Sequence, residues 1–293
     1  MVTMRRVLSV FLTAVFVLLL IQTSTFKITA SSDKNTNDIW DGRIASGFAS
    51  GNGTKANPYI IETAAQLAYL ANKVNTGNNY SGKYFKLVSN IVLNDTSNWK
   101  TWGTNSPKNE WTAIGTEKNK FSGIFDGGGH TVSGVYINKT IDYQGLFGYV
   151  SNGQIKNIGV IESYIKGGSS VGGVVGWIGA SKIYGCYNTG EIIGAGNCVG
   201  GLAGAINNNG VVTSSFNAGV ISSGGQIVGG VAGLVYGGVT NCYNTAIVNG
   251  KDIVGGIVGY VESSATTTNC YNIGKVNGSG SIGGVAGYIS EYS

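Results

Sequence analysis

The apolar positions of this chain fall into one recurring hexapeptide. It reads "VGGVVG" from Val171, "VGGLAG" from Val199, "VGGVAG" from Val228, "VGGIVG" from Val254 and "IGGVAG" from Ile282. Successive copies start 28, 29, 26 and 28 residues apart. A degenerate earlier copy, "QGLFGYV", places Gly145 and Gly148 each 28 residues before Gly173 and Gly176. A second marker keeps the same phase: "CYN" at Cys186, "SFN" at Ser215, and "CYN" again at Cys242 and Cys270. Two markers in one phase define a structural repeat.

Each unit reads as three short strands rich in β-branched and aromatic residues, as in "VGGLAGAI", "GVVTSSFN" and "AGVISSG". The glycines break any helical period. The pattern predicts an all-β fold, a parallel β-helix-like solenoid with one ~28-residue coil per repeat and coils stacked about 4.8 Å apart. Period-two alternation puts Gly200, Leu202, Gly204 and Ile206 on one face, and Val199, Gly201, Ala203 and Ala205 on the other. The first face predicts a narrow core of aliphatic ladders, with Leu202, Val231 and Ile257 inside. The second is also apolar. It aligns Phe147 with Tyr149, Val175 with Trp177, Ala203, Ala232 with Leu234, Val258 with Tyr260, and Ala286 with Tyr288. A solenoid has one inside, so this strip is expected either to bind a partner or to lie under a segment outside the repeats. Tyr149, Trp177, Tyr260 and Tyr288 are its candidate partner-binding residues.

Only "TAAQLAYLANKVNTG" carries a helix period in the part that precedes the repeats. Thr63 with Gln66 forms a capping-box pattern, Leu67, Leu70, Ala71 and Val74 share a face, and Gly77 is a natural stop. A helix here predicts a cap over the open end of the solenoid core. Trp99, Trp102 and Trp111 are expected to pack around it. "FSGIFDGGGHTVSGVYI" then predicts two strands about a Gly-rich turn and begins the coils. The far end, "GGVAGYISEYS", stops part-way through a coil, which suggests a piece of a longer protein.

Arg5 and Arg6 precede an apolar run from Val7 to Ile21, followed by "QTSTFKITASS". That order predicts a secretory signal peptide over residues 1–30, cleaved after Ala30, rather than a spanning helix of about 20 residues. The division is then signal peptide 1–30, cap region 31–120 and repeats 121–293. Removing Arg5, Arg6 and Lys27 leaves 16 basic against 14 acidic residues. Nothing in that balance is a nucleic-acid footprint.

The "VGG[LVI][AV]G" strands followed by "CYN" resemble the GLUG motif of bacterial surface proteins. "NPYIIETAAQLAYLANKVN" and "FSGIFDGGGHTVSGVYI" are similar to the segments that precede GLUG repeats. The resemblance covers about Trp40 to the C-terminus. It implies export, a right-handed β-helix-like solenoid and display at the cell surface, and it carries no assigned catalytic residues. Some immunoglobulin-A-cleaving metallopeptidases contain such repeats beside a zinc domain, but this chain has no His-Glu-x-x-His.

Candidate chemistry is sparse. His130, the single histidine, sits beside Asp126 in "FDGGGHTVSG", where a turn is the expected role. Glu162, Glu191, Asp252, Glu262 and Glu291 share no repeat phase, so the repeats present no carboxylate cluster. Asp95, Glu110, Glu117 and Asp142 are the acids able to converge near the cap. Cys186, Cys242 and Cys270 share a phase, yet Cys186 and Cys242 are two coils apart and beyond disulfide reach. Free thiols are expected. Tyr187, Phe216, Tyr243 and Tyr271 form one ring per coil, and Asn188, Asn217, Asn244 and Asn272 one amide per coil. The rings are either structural stacks or a sugar- or protein-binding strip. The expectation is a non-enzymatic scaffold without cofactor or metal, whose partner is a protein or glycan of a host, matrix or cell surface. A carbohydrate-active enzyme on the same architecture is the alternative.

Overall fold

The computed structural model describes residues 39–207 and 209–291. The assigned signal peptide, residues 1–30, lies outside the described residues. The chain forms a β-solenoid in which all strand pairs are parallel and join one coil to the next. A coil has five strands rather than the three expected. In one coil they are Val171–Gly172, Val175–Gly179, Lys182–Tyr184, Tyr187–Asn188 and Glu191–Gly194. Their stacks are called here sheets I to V, in that order around the coil. Sheet III is the longest, with eight strands from Tyr59–Ile61 to Thr266–Thr268.

The extra strands correct the reading of the hexapeptide. Val199–Gly200 belongs to sheet I and Ala203–Asn207 to sheet II, so the chain turns a corner at Gly201 and Leu202. Strict alternation does not survive the corner. Val199, Leu202, Ala203 and Ile206 are all buried in the core, although Val199 and Ala203 were expected on the opposite face. Ala203 and Ile206 are three apart, and the paired register passes over Gly204 between them. Leu202, Val231 and Ile257 are inside, as expected.

Each glycine of the hexapeptide from Val199 faces backbone it could not approach with a side chain. A Cβ on Gly200 would overlap the Ala203 carbonyl oxygen and lie 2.7 Å from the Ala232 Cα. One on Gly201 would overlap the Asn217 amide, and one on Gly204 the backbone of Ser170. The backbone approaches itself too closely at each point for any side chain.

Asn217 belongs to a buried ladder of amides. Each Nδ2 donates to the Oδ1 of the next: Asn188 to Asn217 at 2.9 Å, Asn217 to Asn244 at 2.8 Å, and Asn244 to Asn272 at 2.8 Å. Each amide also closes its own turn, as Asn217 does with the Gly219 carbonyl at 2.8 Å and the Gly219 N–H at 3.2 Å. Buried polar atoms are therefore satisfied along the axis.

Helix α1 spans Ala64–Asn75 and starts with the capping box read from Thr63 and Gln66. It is inserted between Tyr59–Ile61 and Tyr84–Leu87, which are paired neighbours in sheet III. Strand pairing therefore begins within residues 31–120, before the repeats. Leu67, Leu70 and Val74 join the same apolar core as the coils. Phe48, Tyr59, Tyr80 and Phe85 pack together beside them. The tryptophans part company: Trp111 meets Trp40 near α1, whereas Trp102 covers the outside of sheet V.

Candidate functional site

Sheet II carries the candidate strip. Its register stacks Tyr149, Trp177, Ala205, Leu234, Tyr260 and Tyr288 in one column. Four of them, Tyr149, Trp177, Leu234 and Tyr260, are half-buried, and Tyr288 is 45% exposed. Phe147, Val175, Ala203, Ala232 and Val258, which the sequence pattern had placed beside them, are core residues. The strip is thus one residue wide. The corner that turns Ala203 inward also narrows it.

Two aromatic pairs sit on either side of an aliphatic gap at Ala205 and Leu234. Tyr149 and Trp177 stack with centroids 5.8 Å apart, and Tyr260 and Tyr288 with centroids 5.3 Å apart. Tyr143 meets Trp177 edge to face at 5.9 Å, and the Lys120 ammonium lies 5.1 Å from the Tyr149 ring centre. Burial pushes both Tyr143 and Tyr149 hydroxyls above their ordinary range. The buried Nε1 of Trp177 has no hydrogen-bond partner among the described residues.

The ring ladder on sheet IV is different. Tyr187, Phe216, Tyr243 and Tyr271 stack at 5.0, 4.8 and 5.1 Å with interplanar angles of 1°, 3° and 6°. Each inner ring has both faces occupied by its neighbours. Tyr187 lies over Gly159, where a Cβ would collide with the ring. A pyranose stacks on an aromatic face, so Phe216 and Tyr243 have none to offer. The geometry favours the structural reading of this ladder.

Sheet III presents a polar groove of about 620 Å³. It is lined by Asn152, Ser181, Lys182, Asn209, Thr213 and Thr240. Asn152 and Asn209 form its rim with left-handed backbone, φ 56° and 60°. Thr213 and Thr240 are register partners in it, but the repeat markers read from the sequence lie on other sheets.

The candidate acids are used locally. Asp126 binds Lys156 at 2.9 Å, Asn157 at 3.1 Å and the Gly128 N–H at 3.0 Å. Burial opposes its ionisation, but Lys156, Gly128 and Asn157 outweigh it and hold the carboxyl below its ordinary range. His130 lies in the Gly-rich turn between Ile124–Asp126 and Thr131–Ser133. Asp142 accepts from the Ser169 N–H at 2.7 Å, Asp95 from Ser97 at 3.0 Å, and Glu110 from Asn138 at 3.3 Å. Among the described residues no three His, Cys, Asp or Glu side chains group as a metal site.

All four cysteines are free thiols. Cys186 and Cys242 are buried, and each thiol donates to the carbonyl two residues before it, at 3.3 and 3.2 Å. Ser215 fills the same place in the intervening coil, with its hydroxyl on the Thr213 carbonyl at 2.7 Å. A small hydrogen-bond donor is what that position requires.

No family model matches the chain. It is 38% identical over 120 residues to a protein of Evansella cellulosilytica provisionally named a Gly-rich membrane protein, over 40% of this chain and 12% of that one. It is 32% identical over 177 residues to Halomucin of Haloquadratum walsbyi, over 60% of this chain and 2% of that one. The chain therefore spans only a small part of these relatives. A solved structure from Bacteroides ovatus, provisionally described as an immunoglobulin A1 protease, aligns with TM-score 0.55 and 23% identity. The alignment covers 78% of this chain and 80% of that one and shows the shared fold. No helix among the described residues is long and apolar enough to cross a membrane.

Proposed function

We propose that this chain is a GLUG-type scaffold of the bacterial cell surface or its secreted layer. In this reading it is exported by the signal peptide of residues 1–30, and it holds an outward aromatic column toward a protein or glycan partner. The column on sheet II carries the reading. It sets aromatic pairs at fixed coil spacing on a rigid side of the solenoid, and aromatic anchors dominate interfaces. The indole N–H of Trp177 is buried, so what this residue offers a partner is the exposed part of its ring. The similarity to a membrane protein and to Halomucin agrees with a surface setting.

A scaffold is favoured over a carbohydrate-active enzyme because Asp95, Glu110, Asp126 and Asp142 bond groups of their own or the neighbouring coil rather than facing a second acid. General acid–base chemistry needs two groups positioned on one reacting centre. Asp126 is instead engaged by Lys156 and two turn groups, with no second carboxylate among its bonded partners.

The test is the double variant Trp177→Ser and Tyr260→Ser, screened on glycan and matrix-protein arrays alongside thermal melting. Loss of binding with the melting temperature retained supports an interface. Binding that survives with stability intact removes the strip from the function.

A further inference from the structure

The cap holds a small cavity of about 210 Å³ between the strap of residues 40–44, helix α1 and the Trp111–Thr112 turn. Its walls are the indoles of Trp40 and Trp111 and the methyl groups of Ala68 and Ala71. Asn72 and Thr112 line its mouth and are exposed. On the buried face of α1 the other large members are Leu67, Leu70 and Val74, so the two alanines are what leave the space.

The walls are fixed in place. Trp40 donates its backbone N–H to the Val92 carbonyl at 2.9 Å and its Nε1–H to the Arg43 carbonyl at 2.7 Å. Trp111 donates Nε1–H to the Leu146 carbonyl at 3.1 Å. The indoles meet edge to face with centroids 5.9 Å apart. No ionised side chain lines the cavity. The strap's own charges, Asp41 and Arg43, bind each other at 2.5 Å.

We propose that this cavity is a binding site for one neutral pyranose ring, such as the end residue of a glycan. The volume falls below the roughly 300 Å³ at which drug-sized pockets begin, and so admits a single ring. A lining without charge disfavours an ionised ligand, which would be desolvated without a counter-charge. The partly exposed indole of Trp40 and the side chain of Ile44, beside an amide and a hydroxyl, match a ligand with apolar C–H faces and a rim of hydroxyl groups. The site is formed by the cap, not by sheet II, and stands independently of the strip proposed above.

Saturation-transfer NMR on the full chain tests it, with glucose, galactose, mannose and N-acetylglucosamine as probes and glucuronate as the charged control. The expected result is saturable transfer to at least one neutral sugar and none to glucuronate. Binding should weaken by about tenfold or more in Trp40→Ala and in Asn72→Ala. Asn72 is exposed on α1, so its variant keeps the fold and decides the matter if Trp40→Ala loosens the cap; melting curves identify that case. Absence of transfer to every neutral sugar, or unchanged binding in Asn72→Ala with the fold intact, overturns the proposal. So does preference for a tryptophan-containing peptide over all the sugars, which would make the cavity a seat for a protein side chain.

Discussion

Sheets II and V both turn an aromatic column outward, and the two meet different fates. On sheet V, Tyr136 and Tyr164 stack at 5.9 Å, and the loop carrying Trp102 folds over them. Trp102 meets Tyr136 edge to face at 5.8 Å, and Ser106 Oγ lies 2.8 Å from the Tyr136 hydroxyl. All three rings end up buried. On sheet II, Tyr149 and Trp177 meet Tyr143 and Lys120 but remain half-exposed, while Tyr288 is largely in solvent. Both sheets carry outward aromatics in their first coils, and on sheet V the column passes from Tyr164 to Glu191. What covers them is written elsewhere in the chain, in residues 95–112, and it reaches only the first coils of one side. Farther along sheet V, where the loop no longer reaches, Val220 and Ile247 are exposed.

The largest expected effect tests the premise both faces share, that the inside has been assigned correctly. Leu202→Asp places an unpaired carboxylate in a fully buried position and should cost several kcal/mol, enough to unfold the middle coils. An unchanged melting temperature would mean that neither outer face is where it is described.

Next comes the contrast itself. Trp102→Ala should cost about 3–5 kcal/mol, the usual range for a large buried aromatic. Trp177→Ala should cost about 1 kcal/mol or less, because its ring is half-exposed and its N–H gives up no hydrogen bond. Equal losses in the two variants, measured by denaturant unfolding, would erase the distinction between covered and uncovered columns.

These differences show what the sequence could and could not reveal. The repeat length, the parallel stacking, the capping box at Thr63 and the inward Leu202, Val231 and Ile257 follow from periodicity alone. The corner at Gly201 does not, since a period of two continues in the letters while the chain changes sheet. Its signal was present in another form: in the first four copies the second glycine of the hexapeptide lies against the Asn that ends a "CYN" or "SFN" marker, as Gly201 does against Asn217. Two markers in phase were legible as a repeat but not as two parts of one contact. The same blind spot hid Trp40. Only in the fold do its strap, the two alanines of α1 and Trp111 enclose a cavity, because their contact depends on a crossing that no local pattern records.

A smaller effect separates the amide ladder from both columns. Asn217→Ala removes two donated and two accepted bonds in the buried interior. It should cost about 2 kcal/mol, the usual penalty for unsatisfied buried groups. The loss should be the same whether the outer aromatics are intact or already replaced. A strong dependence on the Trp177→Ala background would show that the inner ladder and the outer column are mechanically linked.

The smallest effect concerns the thiols, which report how closed the shared interior is. Burial pushes the Cys186 thiol up to about 12. Its folded value therefore exceeds the unfolded one near 8.5, so its contribution to stability is complete below that value and is lost as pH rises toward 12. Cys270 is only half-buried and lies nearer solvent than Cys186. At pH 8 an alkylating reagent should therefore label Cys270 first and leave Cys186 untouched until the chain unfolds. Mass mapping without reductant should recover no link between Cys186 and Cys242, which the Ser215 coil separates, and none from Cys198 to either. Rapid labelling of Cys186 in the folded chain would mean that the solenoid opens along sheet IV, between its inner amides and its outer rings. A Cys186–Cys242 disulfide would go further and refute the register in which Tyr187 pairs with Phe216 and Phe216 with Tyr243.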